Sequence, residues 1–311
     1  MHLVTQLRRW LNVYGKSFLK LPDQVAEAKI LAAKTLIHQI AARGDLSDIK
    51  EAEFKVFSQF GEDGILQYLI RRTEIGAGLR TFVEFGVETY EEANTRFLLV
   101  NDNWNGLIID GSQASIARVK ESATFWKNGL TAIAAFVDAD NINQLIGDNG
   151  FRGEIGLLSV DIDGNDYWVW DRIDVVNPVI VVAEYNSVFG ADHAITVPYD
   201  PNFMRGSAHY SHLYWGASLK ALNLVAERKG YALVGCNSAG NNAFFVRRDR
   251  LNGLQELTPE VAYVESKFKE SRDANGHPTF LTGKRRLVEI RAMPVYDVLR
   301  GQVVTIAELV H

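Results

Sequence analysis

The sequence predicts an α/β fold: a mostly parallel sheet of seven strands with a C-terminal antiparallel hairpin, flanked by helices and preceded by N-terminal helices. Three observations predict it. From Thr81 onward, short apolar runs alternate with segments of helical period, as in a parallel sheet covered on both faces. Two later runs, Tyr231 to Val234 and Ala243 to Val246, flank the turn formers Asn237-Ser-Ala-Gly-Asn-Asn242 and so form a hairpin. A chain of 311 residues, 47% hydrophobic and 23% charged, is long and apolar enough for one large α/β domain with appendages.

Taken in order, Leu3 to Leu19 mixes apolar residues with Arg8, Arg9, Lys16 and Lys20 and reads as a surface helix or a homo-oligomer contact. Residues Pro22 to about Ala42 repeat apolar positions near helical spacing until Gly44 and Asp45 stop them. Ser58-Gln-Phe-Gly-Glu62-Asp63-Gly then opens a helical segment, Ile65 to Arg72. Ser58 is its expected N-cap, and the two acids suit the positive end of the helix dipole. The alternation follows: strand Thr81 to Phe85, helix Glu91 to Val100, strand Gly106 to Ile109, helix Gln113 to Glu121, strand Leu130 to Val137 and helix Asn141 to Ile146. Strand Gly156 to Val160, helix Tyr167 to Ile173 and strand Val179 to Ala183 complete it. A long aromatic and polar connection, Tyr185 to about Tyr214, has the length of a lid or binding loop. A helix from about Gly216 to Arg228, ended by Gly230, leads into the hairpin. The expected division is an N-terminal helical extension over 1–52, a main domain over 53–250 and a C-terminal appendage over 251–311.

With 33 basic and 38 acidic side chains, a net charge of −5 offers no broad attraction to nucleic acid or anionic lipid, so no nucleic-acid partner is expected. No stretch has the roughly twenty apolar residues of a transmembrane segment. The one cysteine, Cys236, cannot make an intramolecular disulfide, which suits a reducing, cytoplasmic setting.

The chemistry concentrates where predicted strands end. Thr81-Phe-Val-Glu-Phe-Gly86-Val-Glu88-Thr-Tyr-Glu91-Glu92 reads as a buried strand turning into a helix with an acidic start. A phosphate-bearing nucleotide needs glycines and bare amides there, and Glu88, Glu91 and Glu92 repel it. A cationic nucleoside without phosphate, such as S-adenosylmethionine (SAM), tolerates them. Glu84 and Asp110 sit at strand ends, Asp110 where a carboxylate accepts ribose hydroxyls and Asp138 where one meets an adenine amino group. Val160-Asp161-Ile-Asp163-Gly-Asn165-Asp166 is the densest acidic cluster, and Ala183-Glu184-Tyr185-Asn186 ends the neighbouring strand. Asp161 and Glu184 should share one crevice, where they could hold Mg2+ or another divalent cation, position an amino group or act as a general base. A calcium loop is excluded, since Arg172 stands where its distal glutamate belongs. His209 and His212, in the long connection, are candidates to take a proton from an acceptor hydroxyl.

The Ser58-Gln-Phe-Gly-Glu-Asp-Gly opening, Val83-Glu-Phe-Gly86, Val160-Asp-Ile-Asp-Gly-Asn165 and Gly235-Cys-Asn-Ser-Ala-Gly-Asn-Asn-Ala-Phe-Phe-Val246 together resemble the FkbM-like group of class I SAM-dependent methyltransferases, over roughly residues 55 to 250. The resemblance implies a Rossmann-like class I methyltransferase sheet and O-methylation of a carbohydrate, polysaccharide precursor or glycosylated natural product. It implies that Gln59, Glu84, Gly86, Asp110 and Asp138 line the SAM pocket and that Asp161 stands at the methyl-transfer end. Gly86-Val-Glu88 departs from the usual G-x-G-x-G turn. A partial likeness to metal-dependent O-methyltransferases implies Asp161, Glu184 and Asn186 as a ligand set. Two alternatives stay open: a catalytically inactive binding or scaffold protein on the same fold, and an NAD-dependent sugar-modifying enzyme.

Overall fold

The structure, a computed structural model, describes residues 16–309, so most of the expected helix Leu3 to Leu19 lies outside the described residues. The chain forms two compact units, 1–45 and 46–311. The described part of the first is dominated by one helix, α1 (Lys16–Arg43), which begins upstream of the expected Pro22 and carries that proline inside it. No helix among the described residues is long and apolar enough to cross a membrane.

The second unit carries strands β1 (Thr81–Phe85), β2 (Asn105–Asp110), β3 (Leu130–Ala134), β4 (Gly153–Val160), β5 (Val176–Glu184), β6 (Ile195–Thr196), β7 (Tyr231–Cys236), β8 (Asn242–Arg247), β9 (Pro294–Asp297) and β10 (Gln302–Thr305). Seven of them form a sheet of order β3-β2-β1-β4-β5-β8-β7. The first five strands in sequence run parallel, β8 lies antiparallel to β5, and β7 pairs antiparallel with β8 at the edge. This is the seven-stranded sheet with a terminal hairpin that the sequence predicts. Val83 lies opposite Leu107 on one side and Leu158 on the other, so the sheet changes winding direction between β1 and β4. Strand ends diverge at such a switch point and leave a crevice.

Helices α2 (Glu62–Arg72), α3 (Arg96–Asp102), α4 (Gln113–Glu121), α5 (Ala123–Lys127), α6 (Ile142–Asp148), α7 (Asp166–Arg172), α8 (Arg205–Ala208) and α9 (Leu219–Lys229) follow, with the short α10 (Pro259–Ala262), α11 (Lys284–Glu289) and α12 (Ile306–Leu309) near the C-terminus. Local chemistry sets their ends. In α9, the Ser218 hydroxyl accepts from the Ala221 amide at 3.1 Å, and Gly230 closes the helix at φ +82°, a conformation glycine adopts freely. Helix α3 starts at Arg96, not at Glu91, because the carboxylate of Glu84 accepts the amides of Asn94 and Thr95 and the Thr95 hydroxyl. The acids Glu88, Glu91 and Glu92 therefore lie in a turn ahead of the helix.

The Ser58 to Gly64 motif acquires a structural account. Its helix is capped by Gly61; Ser58 instead exchanges hydrogen bonds with Asp63. Asp63 Oδ2 also accepts the amides of Val56, Phe57 and Ser58, at 2.7 to 2.9 Å. Glu62 turns the other way: Oε2 accepts the Phe60 and Gly61 amides, while Oε1 accepts the side-chain amides of Asn237 and Asn242, at 2.6 and 2.9 Å. Two adjacent buried acids thus fasten this segment to itself and to the hairpin turn.

The connection after β5 is more ordered than its composition suggests. Strand β6 pairs antiparallel with β9, and β9 with β10, in a separate three-stranded sheet. Phe189, Ile195, Val197, Tyr214, Ile290 and Val295 form a core beneath it. Residues after 250 thereby pack on the connection.

Candidate active site

A crevice of about 710 Å³, counting its open mouth, lies at the ends of β1 to β4 and is lined by Gly86, Glu88, Asp110, Phe136, Asp161 and Phe203, among others. Gly86 has φ +69°, and a Cβ there would fall 1.7 Å from the Asp161 carbonyl oxygen, so only glycine lets β1 and β4 approach this closely. Asp110 ends β2 nearly buried, with Oδ2 accepting the Glu88 amide and Oδ1 the Ser112 amide, both at 2.7 Å. Each oxygen keeps a lone pair for a second donor. Phe136, 49% exposed, offers an aromatic face at the mouth.

A second cleft of about 600 Å³ opens beside the first, lined by Glu184, Arg205, Trp215, Asn241, Phe268 and Glu270, with Gln59 at its edge. Register places Val160 opposite Ala183, so Asp161 and Glu184 leave adjacent strands side by side. Burial raises the pKa of both well above the carboxylate range; Asp163 and Asp166 raise Asp161 further, and the Asp161 charge raises Glu184. The pair therefore retains a proton at a pH where ordinary carboxyls have lost theirs. Glu184 Oε2 is buried without a partner. Asp161 faces the crevice and Glu184 the cleft, so the pair forms the wall between them.

Arg205 organises the cleft and left no signal in the sequence, being one arginine in a long connection. Its guanidinium lies 2.8 Å from Asp163 and 3.4 Å from Glu270, stacks 4.7 Å above the Trp215 ring, and donates from Nε to the His212 carbonyl. The Asp163-Gly164-Asn165 turn receives the same connection. Asn165 donates to the Asp200 carbonyl, and a Cβ on Gly164 would strike Phe203 at 2.2 Å. Asp166, with a pKa raised to about 6 chiefly by burial, accepts the amides of Ile162 and Gly164 and so shapes this turn.

Of the residues expected around a cofactor, Gly86 and Asp110 line the crevice and Gln59 lines the cleft instead. Glu84 lines neither. It is buried, with its pKa raised by burial against the opposing bonds from Thr95 and Asn94, and it holds the loop before α3. Asp138 also lines neither, because its Oδ1 accepts the amides of Asp140 and Asn141 in the turn into α6. The histidines do not reach the carboxyl pair. His209 bonds Ser211 and packs against Tyr210, and burial lowers its pKa; His212 stands 3.9 Å from Glu270. Neither ring lines the crevice or the cleft.

Asn186, expected in the ligand set, lines the cleft and is held by its neighbours. Its amide nitrogen donates to the carbonyls of Leu213 and Trp215, and its oxygen accepts the Val188 amide. Asp161 and Glu184 remain, and among the described residues no group of three or more His, Cys, Asp or Glu is placed to hold a metal ion.

No family model matches the chain, and no curated protein matches it in sequence. Among solved structures it is similar to the N-terminal domain of EvdMO1 with SAH bound, at 10% identity over 61% of this chain and 80% of that one, TM-score 0.38. It is similar to an O-methyltransferase from Bacillus cereus in complex with SAH, at 12% identity over 68% and 88%, TM-score 0.38. The [4+2]-cyclase SpnF matches at 12% identity over 68% and 72%, TM-score 0.37. None of these likenesses carries a ligand or a reaction over to this chain.

Proposed function

We propose that the chain is a SAM-dependent O-methyltransferase acting on a hydroxyl of a carbohydrate, a polysaccharide precursor or a glycosylated natural product. The observation that carries this reading is the Asp161–Glu184 pair, two carboxyls on adjacent strand ends that wall off two cavities at the switch point of the sheet. The crevice is acidic and offers Asp110 for ribose hydroxyls and Phe136 for a base, which suits a sulfonium nucleoside better than a nucleotide phosphate. The cleft combines aromatic rings with amide and hydroxyl groups, a lining suited to a polar ring.

In this reading Asp161 faces the sulfonium side and keeps its proton, while Glu184 faces the acceptor hydroxyl. The methyl group passes in line from sulfur to oxygen: the S–CH3 bond breaks, the O–CH3 bond forms, and the hydroxyl proton goes to the Glu184 carboxylate. A carboxylate with a raised pKa is a stronger base than an ordinary one and works nearer neutral pH. Arg205, beside Glu184, steadies the negative charge left between proton abstractions.

The test has two stages. Calorimetric titration with S-adenosylhomocysteine should give micromolar binding, and a protein that takes up none overturns the cofactor assignment. With labelled SAM and a panel of sugar acceptors, Glu184→Gln should retain that binding within about threefold and lose at least about 100-fold in kcat, the usual worth of a general base. Turnover at the wild-type rate in that variant removes Glu184 from the mechanism.

A further inference from the structure

A further cavity in the second unit belongs to neither the crevice nor the cleft. It encloses about 1460 Å³, counting its open mouth, between the 3-10 turn Ser187–Phe189, helix α11 and the start of α12. Its floor is apolar: Phe189 and Ile306 are buried in the core of the small sheet, Leu287 packs against that core, and Val288 lies 58% exposed on the wall. Tyr263 adds a ring whose hydroxyl is spent on the Ser187 carbonyl at 2.7 Å.

Its charge is uneven. Lys284 and Arg291 stand on the lining, and neither side chain has an ion pair or hydrogen bond among the described residues. Arg286 is 3% exposed, bonded to Glu265 at 2.6 Å and to Ser266 at 2.8 Å, and its Nε is buried without a partner. Glu265 is therefore neutralised by Arg286, which leaves Asp192 alone against Lys284 and Arg291. An apolar floor with unpaired cations at its edge matches a molecule that has an apolar body and an anionic head.

We infer that this cavity is a second ligand site, for a carboxylate with an aliphatic body, bound by burial of the body against Phe189, Leu287 and Val288 and by ion pairing of the head with Lys284 and Arg291. It is independent of methyl transfer, since it shares only Ser187, Val188 and Arg286 with the cleft and none of the proposed reacting groups. Through those three residues an occupant touches the back of the cleft wall.

The test is titration of the intact protein with decanoate, with decanol as the uncharged counterpart, on wild type, Lys284→Glu/Arg291→Glu and Val288→Asp. All substituted positions are exposed, so the variants should fold, which circular dichroism checks. Saturable one-to-one decanoate binding, at least tenfold weaker for decanol and for both variants, is the expected result. Decanoate uptake that is unsaturable, equal to that of decanol, or unchanged in the variants overturns the site, as does no uptake by wild type. Binding of S-adenosylhomocysteine in the crevice, measured separately, keeps this outcome distinct from the fate of the methyltransferase reading.

Discussion

Gly86→Ala tests the geometry of the crevice at the point where it is tightest. The backbone at Gly86 has φ +69°, which costs an L residue about 1 to 2 kcal/mol. The new methyl would also start 1.7 Å from the Asp161 carbonyl oxygen, a backbone atom that no rotamer change can move. Relief requires the ends of β1 and β4 to part, at the cost typical of overpacking, about 1 to 3 kcal/mol. The expected loss of stability is thus about 2 to 5 kcal/mol in urea unfolding, provided that the transition is two-state. The displaced atoms carry Asp161 and line the crevice, so affinity for S-adenosylhomocysteine should fall at least tenfold in any protein that remains folded. Gly78→Ala is the control: an added methyl there meets nothing within 4 Å, and stability should change by less than about 0.5 kcal/mol. If Gly86→Ala unfolds like the control and binds as wild type, the close approach of β1 and β4 is not what shapes the site.

Asp110→Asn should weaken S-adenosylhomocysteine binding by roughly 10- to 100-fold, the worth of about 1.5 to 3 kcal/mol for a charged hydrogen-bond acceptor, read by calorimetry. Glu62→Gln places an amide NH2 against donors from Asn237 and Asn242 or from Phe60 and Gly61, and should destabilise the fold by about 2 to 4 kcal/mol in urea unfolding without touching either cavity. Asp166 provides a pH signature. Its folded pKa, about 6, lies above its ordinary 3.8, so the folded state holds more protons and stability falls as pH rises from about 4 through 6. The stability of wild type relative to Asp166→Asn should therefore decrease by roughly 2 kcal/mol between pH 4 and pH 7; a constant difference across that range refutes the assignment.

The main sheet was legible because each of its strands is an apolar run with punctuation at its ends, and because Asn237 to Asn242 spells out the hairpin turn. Gly86 and Asp110 were legible for a related reason: position after a strand determines what faces a switch-point crevice. Glu84 and Asn186 occupied equally suggestive positions, yet the structure turns them inward to backbone groups of Asn94, Thr95, Leu213 and Trp215. An acid or amide after a strand serves ligand and loop equally well, and spacing cannot separate the two uses. The small sheet was illegible because β6 has two residues and its partner β9 comes much later in the chain. Arg205 was missed because its importance lies in whom it meets, Asp163, Trp215 and Glu270, and none of these is a neighbour in sequence.

The winding change between β1 and β4 also has a consequence in time. Strand β1 can pair with β2 as soon as both exist, but its other edge waits for β4, and β5 waits for β8 beyond the long connection. Closing such long loops adds little to the equilibrium cost yet slows the search for the right partner. During synthesis the crevice has no second wall until β4 has emerged, although Gly86 and Asp110 are already made. A molecule that recognises the crevice consequently recognises only chains that have completed this late pairing, and its binding draws the population toward them.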